Sequence, residues 1–135
     1  MKYWLGLLAS VLLLSCSGCA SAASSQDAAV VAERFVRGIA TADASAISET
    51  TGKTVSDADA KSLALELLGE DEAIAADAVE VGAPIHGGGD VNYMVRLVSG
   101  DLPNGDAYVD VTLSKDEGRW VVRVAGPVEV SEPVP

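Results

Sequence analysis

Apolar residues recur at helical spacing in the first half of the chain and alternate in the second, so the pattern predicts helices followed by strands. From Gln26 to Ala42, Val31, Phe35 and Ile39 recur at intervals of four, with Ala28, Ala32 and Val36 beside them. Glu33, Arg34 and Arg37 fall on the other side. This is a helix with one buried stripe. A shorter helical piece is expected from Asp43 to about Thr50, broken by Thr51 and Gly52. Ser56-Asp57-Ala58-Asp59 then resembles a capping box, in which a hydroxyl and a carboxylate three residues on each accept a backbone N–H at the helix start. Behind it Ala60, Leu63, Ala64, Leu67 and Leu68 share a face until Gly69. The acidic, alanine-rich stretch from Glu70 to Ala78 fits either a further helical turn or a link.

The period then changes. Val79, Val81, Ala83 and Ile85 alternate, as do Val91, Tyr93, Val95 and Leu97, then Ala107, Val109, Val111 and Leu113, then Trp120, Val122 and Val124. The intervening Pro103-Asn104-Gly105 and Asp116-Glu117-Gly118 carry turn chemistry. Strict alternation buries one face only, which predicts an α+β domain: amino-terminal helices packed on one face of a curved antiparallel sheet of four strands. The opposite face should present Asn92, Met94 and Arg96, then Asp106, Tyr108, Asp110 and Thr112, then Arg119 and Arg123. This domain is expected over residues 26–126, and the three prolines of residues 127–135 suggest an edge extension or a disordered tail.

Composition narrows the class of partner. Nine Lys and Arg against twenty Asp and Glu give a net charge of −11, which repels the phosphate backbone of nucleic acid and anionic lipid headgroups alike. Nucleic acid is therefore excluded as the expected partner. Two cysteines, at 16 and 19, are too few for a disulfide-stapled scaffold, and the chain holds one histidine, His86. The amino terminus has a further meaning. One lysine, an apolar run from Trp4 to Leu14 and then small residues make the three-part layout of a secretory leader. The run is well short of the ~20 residues that a membrane-spanning helix needs, so removal is preferred over permanent anchoring.

Leu13-Leu14-Ser15-Cys16 resembles the lipobox of bacterial lipoproteins, in which the cysteine is acylated after the leader (residues 1–15) is cleaved. Ser17-Gly18-Cys19 offers a second cysteine preceded by small residues, with an atypical Cys16 three positions before it, and the choice between the two stays open. Either outcome implies an extracytoplasmic protein held on a membrane by lipid, with residues 16–25 as lipidated cysteine and flexible tether. The spacing Cys16-x-x-Cys19 also matches a redox pair or half a zinc site. Its place at the end of a leader, far from a strand-to-helix turn and without further ligands, disfavours both.

Helices followed by a curved meander, together with the opening AAVVAERFVRGIATAD and the closing Asp116-Glu117-Gly118-Arg119-Trp120, resemble the cystatin-like cone of the nuclear transport factor 2-like superfamily. The resemblance implies a concave sheet that in some members holds a ketosteroid isomerase-like or dehydratase-type active site, with an inward acid as general base. Phe35, Tyr93 and Trp120 are the candidate lining of such a pocket, but alternation sends Asp106 and Asp110 to the other face, so no catalytic residue is carried over. His86-Gly87-Gly88-Gly89 could serve as an oxyanion loop, yet no serine elbow accompanies it, and a hairpin loop with a solvated histidine explains it better. Glu70-Asp71-Glu72 and the turn from Asp101 to Asp106 lack the ligand spacing of a calcium loop, and no motif asks for a cofactor or metal. Arg96, Asp110 and Arg123 are expected as cross-strand neighbours, and with Met94 and Tyr108 they form a candidate exposed binding face. The favoured expectation is a non-catalytic binding or assembly module for another envelope protein or a small apolar ligand. The alternative is a small isomerase or dehydratase using the same cone.

Overall fold

The computed structural model describes residues 25–128. The leader, Cys16, Cys19 and the tether up to residue 24 lie outside the described residues, as do residues 129–135. The described residues form an α+β domain of three helices followed by a curved, unclosed antiparallel sheet of five strands.

Helix α1 (Ser25–Thr41) buries Ala28, Ala32, Phe35, Val36 and Ile39 of the stripe its periodicity predicts, with Ala40 beside them, while Val31 is only half-buried at the edge of the stripe. Burying each larger member of that stripe contributes ~1.5–3 kcal/mol relative to exposure, which holds the helix on the sheet. Helix α2 (Ala44–Thr51) is entered through Asp43, whose carboxylate accepts from the backbone N–H groups of Ser45 at 3.1 Å and Ala46 at 3.3 Å. Gly52 ends it with a positive φ of 70° that an L side chain rarely adopts. The two helices pack closely at Gly38, where an added Cβ would meet the Ala46 Cβ at 3.0 Å. Helix α3 (Asp57–Leu68) starts in the expected capping box: the Ser56 hydroxyl accepts from the Asp59 N–H and the Asp59 carboxylate from the Ser56 N–H. Residues 69–77 contain no helix, so the acidic stretch is a link, pinned where the Ile74 N–H donates to the Ala40 carbonyl at 2.8 Å.

The strands are β1 (Ala78–Val81), β2 (Ile85–Gly87), β3 (Asp90–Val98), β4 (Asp106–Asp116) and β5 (Arg119–Val128). The expected first strand is thus split in two. β1 pairs with Val95–Val98 and β2 with Asp90–Asn92, so both lie along one edge of β3. Residues 82–84, Gly-Ala-Pro, bridge the gap, and Pro84 has no N–H to give to a ladder. The break also shifts phase: Ile85 pairs with outward Asn92 and is 68% exposed, instead of continuing the inward row of Val79 and Val81.

A second phase shift corrects the last strand. Leu113 pairs with Val122 but Thr112 pairs with Val124, so Arg123 is the extra residue of a β-bulge. Beyond it the inward positions are Ala125 and Pro127, opposite Val111 and Val109, and Val124 is 63% exposed rather than buried. Val121 and Val122 are both buried on the other side of the bulge. Strand β5 also continues through Pro127 to Val128. Pro127 and Val128 thus extend the edge strand, where a proline is tolerated because no N–H is required.

Alternation holds along β3 and from Val109 onward in β4, while Ala107, at the start of β4, is only half-buried. Val91, Tyr93, Val95 and Leu97 are buried, as are Val109, Val111 and Leu113, and they meet the apolar stripe of α1 in one core.

Candidate functional site

The inner sheet face is packed. Phe35 and Tyr93 are each 2% exposed and belong to the core, Tyr93 standing opposite Val111 across β3 and β4. The buried polar residues among those described are Thr50 and Ser99, so the interior receives no carboxylate and no imidazole. Thr50 is satisfied by the Ala46 carbonyl at 2.8 Å, and the Ser99 hydroxyl accepts from the Asp101 N–H at 3.2 Å. Burial pushes the Tyr93 hydroxyl above the usual tyrosine range. The sign of the resulting pH dependence follows. Above about pH 10 the unfolded chain releases the Tyr93 proton while the folded chain keeps it, so stability falls as pH rises through that range. Tyr93→Phe is expected to flatten the alkaline limb of a stability profile measured by urea unfolding. An unchanged limb would mean that Tyr93 ionises as easily in the fold as out of it.

The outer face carries the polar residues that alternation assigns to it. Met94, at 48%, Asp110 and Arg123 are exposed, and Arg96 and Tyr108 are half-buried. Their pairing differs from expectation. Arg96 does not meet Asp110; its Nε donates to Asp106 and its Nη1 to Glu80, both at 3.0 Å. The reason is register: Arg96 faces Glu80 across β1 and Tyr108 across β4, whereas Asp110 stands opposite Met94. The hydrogen bonds to Glu80, and then those to Asp106, raise the Arg96 pKa and keep the guanidinium charged. Asp110 instead accepts from the Asn92 amide at 2.5 Å, and the same nitrogen donates to the Thr112 hydroxyl at 2.9 Å. Both arrangements tie the strands together, and their charged groups remain hydrated.

The glycine run is accounted for by turn geometry. Gly88 and Gly89 join β2 to β3 with φ of 58° and 92°, and two positive values in succession are what a two-residue hairpin turn requires. His86 precedes it and is exposed. The β4–β5 turn is built the same way from Glu117 and Gly118, with φ of 51° and 80°.

Trp120, expected on the buried face, is only half-buried: it stands at the turn end of the sheet, packed on the edge of the core. Its neighbour in register is Lys115, whose ammonium lies 5.2 Å from the ring centroid. The indole Nε1 is buried without a hydrogen-bond partner. An open groove of about 510 Å³ runs on one side, between Trp120 and Asp27, Val31 and Arg34 of α1. Another of about 510 Å³ lies on the other side, between Trp120, Lys115 and the His86–Gly89 turn. Sequence patterning could not reveal these grooves, because their walls come from α1, the β2–β3 turn and the β4–β5 turn.

Among the described residues no group of three or more His, Cys, Asp or Glu side chains gathers as a metal site, and no helix is long and apolar enough to cross a membrane. The chain matches no family model, no curated protein and no solved structure.

Proposed function

We propose that this is an exported cell-envelope protein, anchored by lipid on Cys16 or Cys19, whose small α+β domain binds or assembles with another envelope component without acid-base catalysis. The packed inner sheet face carries the second part of this reading. A general base working near neutral pH needs a desolvated carboxylate or imidazole beside its substrate, and the inward row from Val91 to Leu97 and from Val109 to Leu113 is apolar apart from Tyr93. The order of three helices and a curved, unclosed sheet supports the likeness to a cystatin-like cone of the nuclear transport factor 2-like kind, whose concave face would here be filled by side chains. The anchor rests on the sequence: the apolar run ends directly before Ser15-Cys16, and acyl chains gain ~0.8 kcal/mol per buried methylene, enough for two or more to hold an acidic protein on a bilayer.

Replacing both cysteines tests the anchor. Cys16→Ser with Cys19→Ser is expected to abolish membrane partitioning in detergent phase separation, together with processing that is sensitive to an inhibitor of the lipoprotein signal peptidase. A double variant that still partitions with membranes overturns the reading.

A further inference from the structure

We infer that the β4–β5 turn end of the domain is the surface this protein turns toward the bilayer, its bases and Trp120 meeting anionic phospholipid headgroups while the acidic end points away. The inference rests on the lipid-anchored reading above.

Three grooves adjoin at this end. Trp120 is common to the first two, and Lys115 is shared between the second and a third that contains Lys53 and Arg123. With Arg34 and Arg119 in the first groove, five of the nine Lys and Arg of the chain gather around one turn. Five acids accompany them, Asp27, Glu49, Asp90, Asp116 and Glu117, so this end is close to neutral. Glu49 is already held by Arg34 at 2.6 Å. Among the described residues, thirteen further acids lie outside these grooves, against three further bases, Arg37, Lys61 and Arg96. Within the described domain the acidic excess therefore lies away from the turn. At the opposite end of the sheet, Asp106 opens β4 beside the carboxy-terminal end of α3, in a groove with Glu66 and Gly69.

The chain reaches the domain at the same end. Asp27, in the first turn of α1, shares its groove with Gly118, Arg119 and Trp120. Eight residues lie between Cys16 and Ser25, and at full extension the nine steps span at most ~32 Å. Strand β4 alone is ~35 Å long, so the Asp106 end can lie a full strand length farther from the anchor than the turn does. An anionic surface acts over a Debye length of ~8 Å at physiological ionic strength, and it therefore repels whichever acidic part comes near. The turn end is the part it tolerates. Lysine stems and an indole also suit the interface, where an apolar body and a polar tip are both solvated.

The processed protein contains a built-in probe, because Trp4 leaves with the leader and Trp120 is then the remaining tryptophan. The full chain is expressed in a bacterium, its mass is measured to establish acylation, and it is reconstituted in phosphatidylglycerol–phosphatidylcholine vesicles containing headgroup spin-labelled lipid. Quenching should at least halve Trp120 fluorescence. Added salt should weaken it, and so should Arg119→Glu with Arg123→Glu, two exposed residues whose replacement leaves the acylated mass shift in place. Acylated, vesicle-bound protein quenched no more than this variant, or no more than in phosphatidylcholine alone, overturns the inference. A mass without acyl chains sinks the anchor reading separately. In that case the chain carrying Trp4→Phe is coupled through its Cys16 and Cys19 thiols to maleimide-headgroup lipid, and the same quenching comparison decides the orientation.

Discussion

Phe35→Ala is expected to lower the unfolding free energy by ~3–5 kcal/mol, the range for removing a large aromatic side chain from a core that cannot fully collapse around the void. Phe35 is the chain's single phenylalanine, 2% exposed, and it lies on the stripe by which α1 packs against the sheet. Its neighbours on that stripe are Ala32, Val36 and Ile39, side chains too small or too stiff at χ1 to swing into the space it leaves. Val124→Ala is the matched control. If the bulge at Arg123 sets the phase of β5 as described, that substitution removes an outward, 63% exposed side chain and should change stability by less than ~0.5 kcal/mol. Urea unfolding followed by circular dichroism measures both. A large loss at Val124, or a small one at Phe35, would contradict the packing of helix on sheet described above.

The contrast between those two positions shows where the sequence is legible. The stripe of α1, the Ser56 capping box and the alternation of β3 and β4 are local patterns fixed by the helical and strand periods, and each reappears in the structure, with Val31 and Ala107 only half-buried at their edges. A bulge has no such signature. Trp120, Val122 and Val124 alternate as an unbroken strand would, and only the register with Thr112 and Leu113 shows that the phase changes between Val122 and Val124. The interruption at residues 82–84 did leave a sign, since Gly82 and Pro84 are poor strand residues. The apolar alternation through Ala83 to Ile85 outweighed it in the sequence, while in the structure the missing proline N–H decided the matter.

Side-chain partners were less legible than faces. The outward assignment of Met94, Arg96, Tyr108, Asp110 and Arg123 follows from period alone, but which charge meets which depends on strand stagger. Stagger gave Arg96 to Glu80 and Asp106, and gave Asp110 to Asn92. The surroundings of Trp120 were beyond reach for a different reason: they join segments nearly a hundred residues apart, from Asp27 to Trp120, and neither hydropathy nor motif spacing reports a contact at that separation.

Placing an acid inside the sheet, where an isomerase-type cone would need one, provides the strongest test of the non-catalytic reading. Val111 is fully buried, opposite Tyr93 on one side and Ala125 on the other, and Val111→Asp sets an unpaired carboxyl among apolar neighbours. Leaving such a charge uncompensated costs ~3–5 kcal/mol, a large part of the 5–15 kcal/mol that typically holds a domain together. Desolvation disfavours the charged form, so the folded carboxyl should have a pKa above the unfolded value of about 3.9. Folding then takes up a proton at that site: the penalty is absent below the unfolded pKa and grows as pH rises toward the folded one. The expected result is a variant with little or no cooperative urea transition near neutral pH, whose transition returns on mild acidification. Val111→Asn, similar in shape but uncharged, should be destabilised by an amount that does not depend on pH over the same range, which separates the charge from the loss of packing. Should Val111→Asp instead remain nearly as stable as the parent at neutral pH, the interior would be wet enough to solvate a carboxylate beside Tyr93. The non-catalytic reading would then fail, and acid-base chemistry would become the leading account of the domain.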